Sequence, residues 1–199
     1  MCGIVGVYHF DHDFVVREHD LVAMADAIVH RGPDDAGYYV CGNVGLAMRR
    51  LSIIDLAGGH QPIFSADKSK AIVFNGELYN YREQARTLDA RGYVRTTRSD
   101  TEVTLGLYNE FGIESLERLN GMFGFAIHDK STNRLHIVRD RIGIKPLYYY
   151  RDADKIVFAS EIKAILKYPG VRAALDTDTL PAYFKYGFTP APRTLFAGI

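Results

Sequence analysis

The sequence predicts an α+β fold in which antiparallel sheets built from hairpins pack against helices. Segments that read as strands come in neighbouring pairs, and the helical stretches cluster between those pairs instead of following each strand. That order belongs to antiparallel α+β architectures and not to a parallel βαβ sheet. The 199 residues suffice for one well-cored domain and are few for two. An apolar share of 47% and a charged share of 24% are those of an ordinary globular chain.

Each element has a local reason. The opening CGIVGVYHF is a short apolar run and reads as a buried strand. EHDLVAMADAIVH places Leu21, Met24, Ala25 and Ile28 at spacing i, i+3, i+4, i+7, a helical face that Gly32 and Pro33 terminate. GYYVCGNVGLAMRRL reads as two strands joined at Gly42-Asn43, with Cys41 structural and Arg50 closing the second strand. KAIVFNGELYNYREQARTLDARG passes from a β-rich run into a helix with Leu78, Tyr81, Ala85 and Leu88 aligned and Gly92 as stop. SDTEV is a capping-box pattern, Ser99 as cap and Glu102 three residues on; the helix behind it buries Val103, Leu107 and Phe111 and ends at Gly112. FGFAIHDKSTNRLHIVRD and LYYYRDADKIVFAS read as hairpins, and EIKAILKY and DTLPAYFKYG as short helices. The last residues, FTPAPRTLFAGI, have neither a polar tail nor a capped element, so they read as the interior of a longer polypeptide, with Phe184, Phe188 and Leu195 on an exposed apolar surface.

Several function classes are excluded at this level. Lys+Arg and Asp+Glu both total 24, which leaves no basic footprint for nucleic acid and no charge bias toward a membrane surface. No run of about 18 apolar residues spans a bilayer, and the N-terminus lacks the basic region of a signal peptide. The two cysteines, Cys2 and Cys41, suit a reducing cytoplasm better than a disulfide framework. The seven histidines show no zinc-ligand spacing, His60 standing alone beside Gln61-Pro62, and there is no phosphate-binding G-x-x-x-x-G-K-[ST] loop.

Four runs can carry chemistry. Cys2 follows the initiator methionine directly, and removal of Met1 would give one residue both a thiol, of ordinary pKa about 8.5, and an α-amine, at about 7.7–8.0. Such a residue is nucleophile and base together. RGPDD (residues 31–35) is a loop after a helix, and RRLSIIDLAGGHQP begins at the end of a strand and runs through Gly58-Gly59. FNGELYN carries Asn75-Gly76, which is either a simple turn or an amide and a bare N–H aimed at one point, an oxyanion hole. Glu77 and Asp100 are either surface carboxylates, Asp100 favoured by a helix N-terminus, or a pair that reads a substrate ammonium. Arg50 can then hold a carboxylate through its bidentate fork. Taken together, these groups outline a pocket for a free α-amino acid facing a thiol.

The ordered set MCGIVGV, HRGPDD, RRLSIIDL, QPI, FNGELYNYRE, SDTEV, LNGMFGFAIHD, RDRIGIKPLYY and FASEIKA resembles the N-terminal glutaminase domain of glutamine-hydrolysing asparagine synthetases, a class II glutamine amidotransferase. The resemblance covers nearly the whole chain. It implies a four-layer αββα sandwich of the N-terminal nucleophile (Ntn) hydrolase type, two antiparallel sheets between helices, over residues 1–199. It makes Cys2 the nucleophile and Asn75 and Gly76 the oxyanion hole. Arg50 would take the glutamine α-carboxylate, Glu77 and Asp100 the α-ammonium, and Leu51, Ser52, Ile53 and Ile54 would line the pocket. Where relatives often have His, this chain has Met48, which leaves the support of the neighbouring loop in question.

The implied reaction is hydrolysis of L-glutamine through a Cys2 thioester, with no metal and no cofactor in this domain. Partners are L-glutamine and a synthetase domain on the same polypeptide, which would need ATP and Mg; a homodimer is also compatible, and the setting is cytoplasmic. Two rivals stand beside this reading: a non-catalytic glutamine-binding or scaffold domain, favoured if Met1 is retained, and the glutaminase half of an amidotransferase with another acceptor. RDRIGIKPLYY and RRLSIIDL argue against the glucosamine and phosphoribosylamine types.

Overall fold

The computed structural model describes residues 2–51 and 59–199. The opening run forms β1 (Gly3–His9), and α1 (Glu18–Asp26) follows it. Next come β2 (Asp35–Cys41) and β3 (Val44–Arg50). They meet at the expected two-residue turn, where Gly42 takes φ 56°, a left-handed conformation that costs glycine little. The Asn43 amide donates to the His9 carbonyl at 2.6 Å and ties that turn to the end of β1.

A two-residue strand, β4 (Ile63–Phe64), precedes the long β5 (Lys70–Leu78). The helices α2 (Tyr81–Asp89) and α3 (Asp100–Phe111) follow, and then the hairpin β6 (Gly121–Asp129) and β7 (Arg134–Arg139). A second hairpin, β8 (Tyr148–Arg151) and β9 (Lys155–Ala159), leads to the short helices α4 (Ile162–Ile165) and α5 (Leu180–Tyr186).

The strands make two antiparallel sheets, in the orders β2-β3-β1-β9-β8 and β4-β5-β6-β7. Alternation along each strand sends side chains to opposite faces and produces three apolar layers. Val5, Val7, Leu21, Met24, Ile28 and Ile165 fill the space between the first sheet and α1 and α4. Ile72, Phe74, Leu88, Val103, Leu107 and Phe125 fill the space between the second sheet and α2 and α3. Ile4, Leu46, Met48, Val73, Ala126 and Phe158 lie between the sheets. The sandwich therefore has the four-layer αββα order, and Met48 is a fully buried member of its apolar centre.

Some local expectations change. Leu78 ends β5 instead of joining the helix, although it buries into the same layer as Ala85 and Leu88. Only half of the capping box forms. Ser99 Oγ accepts from the Glu102 N–H at 3.2 Å, but the buried Glu102 carboxylate turns to the N–H groups of Thr96 and Thr97. Helix α3 is buried well beyond its Val103 and Leu107 stripe, because α2 covers one side and the sheet another, while Phe111 is only half-buried beneath the Arg91 and Arg118 guanidinium groups. In the C-terminal segment Phe184 and Phe188 are exposed as expected, but Leu195 is half-buried, its carbonyl accepting from Asp176 N–H at 2.9 Å. Among the described residues no helix is long and apolar enough to cross a membrane.

Candidate active site

Cys2 lies one residue ahead of β1 and shares the strand face of Ile4, so its side chain packs against the layer between the sheets. Its Sγ is 3.8 Å from the Leu51 carbonyl oxygen, and it is half-buried. The backbone around it is anchored from two directions. Arg31 Nε donates to the Cys2 carbonyl at 2.9 Å; at Ile4, the N–H donates to Ser160 Oγ at 3.0 Å and the carbonyl accepts from Ser160 N–H at 2.9 Å.

Arg31 is held in turn by Glu161, whose carboxylate meets Arg31 Nη1 at 3.0 Å, His30 Nε2 at 2.8 Å and Lys163 Nζ at 3.1 Å. Burial alone would raise this carboxyl. Bonds from Arg31, His30 and Lys163 outweigh burial and hold it down to about 2. RGPDD and FASEIKA therefore join as the clamp on the N-terminal strand. The sequence reading gave neither Arg31 nor Glu161 a role, and nothing short of their contact links two residues 130 positions apart.

The second half of the site is the far end of β5. Asn75 shares a strand face with Val73, so it also points between the sheets, toward the layer that holds Cys2. It is 1% exposed, and its Nδ2 has no hydrogen-bond partner among the described residues. A buried amide N–H pair without an acceptor costs about 1–3 kcal/mol, so it marks a place where an acceptor is meant to arrive. Position 76 admits only glycine, because an added Cβ would lie 2.2 Å from the Met122 carbonyl oxygen.

Alternation in an antiparallel ladder turns every second N–H to the same edge. The Phe74 N–H leaves the β6 side to meet Gln61 Oε1 at 2.6 Å, and the Leu78 N–H meets Asp100 Oδ2 at 2.9 Å. Gly76 lies midway, and its N–H points off the same edge. Asp100 opens α3 and is thereby fixed two residues beyond that N–H. Burial pushes its carboxyl above the ordinary range; the N–H bonds from Leu78 and Thr101 oppose this, and the nearby Glu77 charge adds to the rise. Glu77 itself is exposed.

Arg50 is buried at the end of β3, opposite Asp35, and its carbonyl accepts from Asp34 N–H at 3.2 Å. His60 is not alone: its Nδ1 is 2.7 Å from Asp35 Oδ2. Leu51 is half-buried next to the thiol, while Ser52, Ile53 and Ile54 lie outside the described residues. The structure thus places Cys2 beside Leu51 against the layer between the sheets, directs Asn75 into the same layer, and fixes Asp100 to β5 two residues beyond Gly76. Asp140 supports the back of this edge by accepting from the N–H groups of Phe123, Ile144 and Lys145, Phe123 being the β6 neighbour of Gly76. Among the described residues no group of three His, Cys, Asp or Glu is placed to hold a metal ion.

Residues 1–199 match the family described as the glutamine amidotransferase domain. Glutamine-hydrolyzing asparagine synthetase 1 of Bacillus subtilis is 42% identical over 201 residues, covering 100% of this chain and 32% of that protein. Asparagine synthetase B of Escherichia coli is 40% identical over 167 residues, 83% of this chain and 30% of its own length. The chain spans about a third of the length of these relatives.

Two solved structures share the fold. Glutamine phosphoribosylpyrophosphate amidotransferase from B. subtilis superposes with TM-score 0.68 at 22% identity, over 82% of this chain and 43% of that one. An allosteric regulatory enzyme of purine biosynthesis does so with TM-score 0.70 at 23% identity, over 83% and 43%. Such low identity speaks for the fold alone, the sandwich of two antiparallel sheets with helices outside them. With the family match running from the first residue to the last, the chain belongs to the glutamine amidotransferase domain family.

Proposed function

We propose that this domain hydrolyses L-glutamine to glutamate and ammonia through a thioester on Cys2, and that the ammonia serves an ATP-dependent amidation of the asparagine-synthetase kind. The observation that carries the reading is the buried, unpartnered Asn75 amide beside Gly76, on the face of β5 directed toward the layer that holds Cys2. Attack by sulfur on the side-chain carbonyl forms a C–S bond and places negative charge on oxygen. Asn75 Nδ2 and Gly76 N–H are the donors for that charge. The α-amine of Cys2 takes the thiol proton and passes it to the leaving nitrogen, the C–N bond breaks, and ammonia departs. Water then cleaves the thioester, releasing glutamate and restoring the thiol.

Asp100 takes the substrate ammonium, with Glu77 adding negative charge nearby, and Arg50 takes the α-carboxylate. The raised Asp100 carboxyl supports this role, since it is a buried acid that accepts from backbone N–H groups. ATP and Mg belong to the synthetase part of such proteins, which lies beyond the matched third of the relatives. Free Cys2 and Cys41 suit a reducing cytoplasm.

The test pairs the intact mass of the purified protein with ammonia release from glutamine. Loss of Met1 together with ammonia release is expected. Glutamine binding without ammonia release, from protein whose mass shows Cys2 at the N-terminus, would overturn the catalytic reading in favour of a glutamine-binding domain.

A further inference from the structure

Gln61 is 6% exposed, and both ends of its side-chain amide are engaged. Oε1 accepts from the Phe74 N–H at 2.6 Å, while Nε2 lies 3.2 Å from the Phe74 carbonyl and 3.3 Å from Thr101 Oγ1. Strand β4 pairs with β5 only at Ile63–Ile72 and Phe64–Ala71. Continued by backbone, the ladder would reach Phe74 opposite Gln61. The Gln61 main chain does not make that rung, because it turns instead to the other sheet, where an added Cβ on Gly37 would lie 1.7 Å from the Gln61 carbonyl oxygen. The side-chain amide replaces the missing backbone rung. It holds one flank of the Gly76 N–H as Asp100 holds the other, and through Thr101 it also touches the helix turn that carries Asp100.

We propose that Gln61 is a positioning residue for the oxyanion edge: its amide extends the β4–β5 ladder past Pro62 and fixes Asn75 and Gly76 opposite Cys2. The proposal rests on the glutaminase reading and is tested so that the two can fail separately. In Gln61→Met, which keeps the size and removes both bonds, kcat for glutamine hydrolysis should fall roughly 10- to 100-fold, the cost of slight misplacement at a reacting centre, with a smaller change in KM.

Gln61→Glu gives a sharper readout. A protonated carboxyl can accept from the Phe74 N–H and donate to the Phe74 carbonyl, as the amide does, whereas the carboxylate can only accept. Burial raises the pKa of an acid placed there. The ratio of variant to wild-type kcat should therefore climb as pH falls. An unchanged kcat in Gln61→Met, or a pH-independent ratio in Gln61→Glu, overturns the proposal. Should Gln61→Met fail to fold, the Gln61→Glu profile decides alone. A wild-type protein without glutaminase activity counts against the proposed reaction, and amide hydrogen exchange then decides: faster exchange at Phe74 and Leu78 in either variant supports Gln61 as the anchor of this edge, and unchanged exchange at both overturns it.

Discussion

The N-terminal end of β1 and the far end of β5 both border the layer between the sheets, and each has a carboxylate with a different fate. At the β1 end, Glu161 meets Arg31, His30 and Lys163, and its carboxyl is held down to about 2 despite partial burial. At the β5 end, Asp100 accepts from backbone N–H groups, and burial pushes its carboxyl up. The same end holds the unpartnered Asn75 amide. One region pairs its carboxylate with three cations and anchors the strand that follows Cys2, while the other holds a buried carboxyl on N–H donors beside a buried amide, which the proposed reaction would use for glutamine.

The largest expected effect breaks the chemistry without touching either region's packing. Cys2→Ala should abolish glutamine hydrolysis while the circular-dichroism spectrum and thermal midpoint stay close to wild type; substantial ammonia release from the folded variant would remove Cys2 from the mechanism. Next, Asn75→Ala should lower kcat by about 10²–10³ with little change in KM, because its amide answers a charge present only along the reaction path. An effect on KM alone would make Asn75 a binding group.

Asp100→Asn should raise KM about 10-fold, the scale of a lost charge-assisted hydrogen bond, with a smaller effect on kcat. Since the folded-state carboxyl of Asp100 lies above its unfolded value of 3.8, ionisation works against folding as pH rises through that interval. The neutral variant should thus have a thermal midpoint at pH 7 equal to or above that of wild type. A clear drop would make Asp100 a structural partner like Glu161.

The smallest effect is on acid stability. The Glu161 carboxyl is lowered from 4.5 to about 2, so its contribution is fully present above pH 4.5 and fades as pH falls toward about 2. Glu161→Gln should flatten that part of the stability profile, measured by denaturant unfolding across the window. An unchanged slope would mean that the three cations do not hold the N-terminal strand through this carboxylate.

Much of the fold is legible in the sequence because its signals are local. Gly42-Asn43 specifies a two-residue hairpin, Ser99 caps α3, Gly92 and Gly112 mark where helices stop, and the period of apolar residues separates strands from helices. The order of those elements suffices for an antiparallel α+β protein. The candidate residues Cys2, Arg50 and Asp100 stand out for a related reason: each is a reactive or charged type at the end of a regular element, whereas Asn75-Gly76 reads as a possible turn but lies within β5.

Tertiary structure alone decided which polar groups met. Arg31 finds Glu161 across 130 residues, the Gln61 side chain substitutes for a strand rung that its own backbone does not make, and Glu102 abandons its capping role for Thr96 and Thr97. Hydrogen bonding depends on distances of about 3 Å between atoms brought together by chain reversal, and such distances have no expression in spacing along the sequence. The residue types could say that an amide and a carboxylate were present. Only the packed sandwich could leave the Asn75 amide buried without an acceptor among the described residues and bury the Asp100 carboxyl on backbone N–H donors.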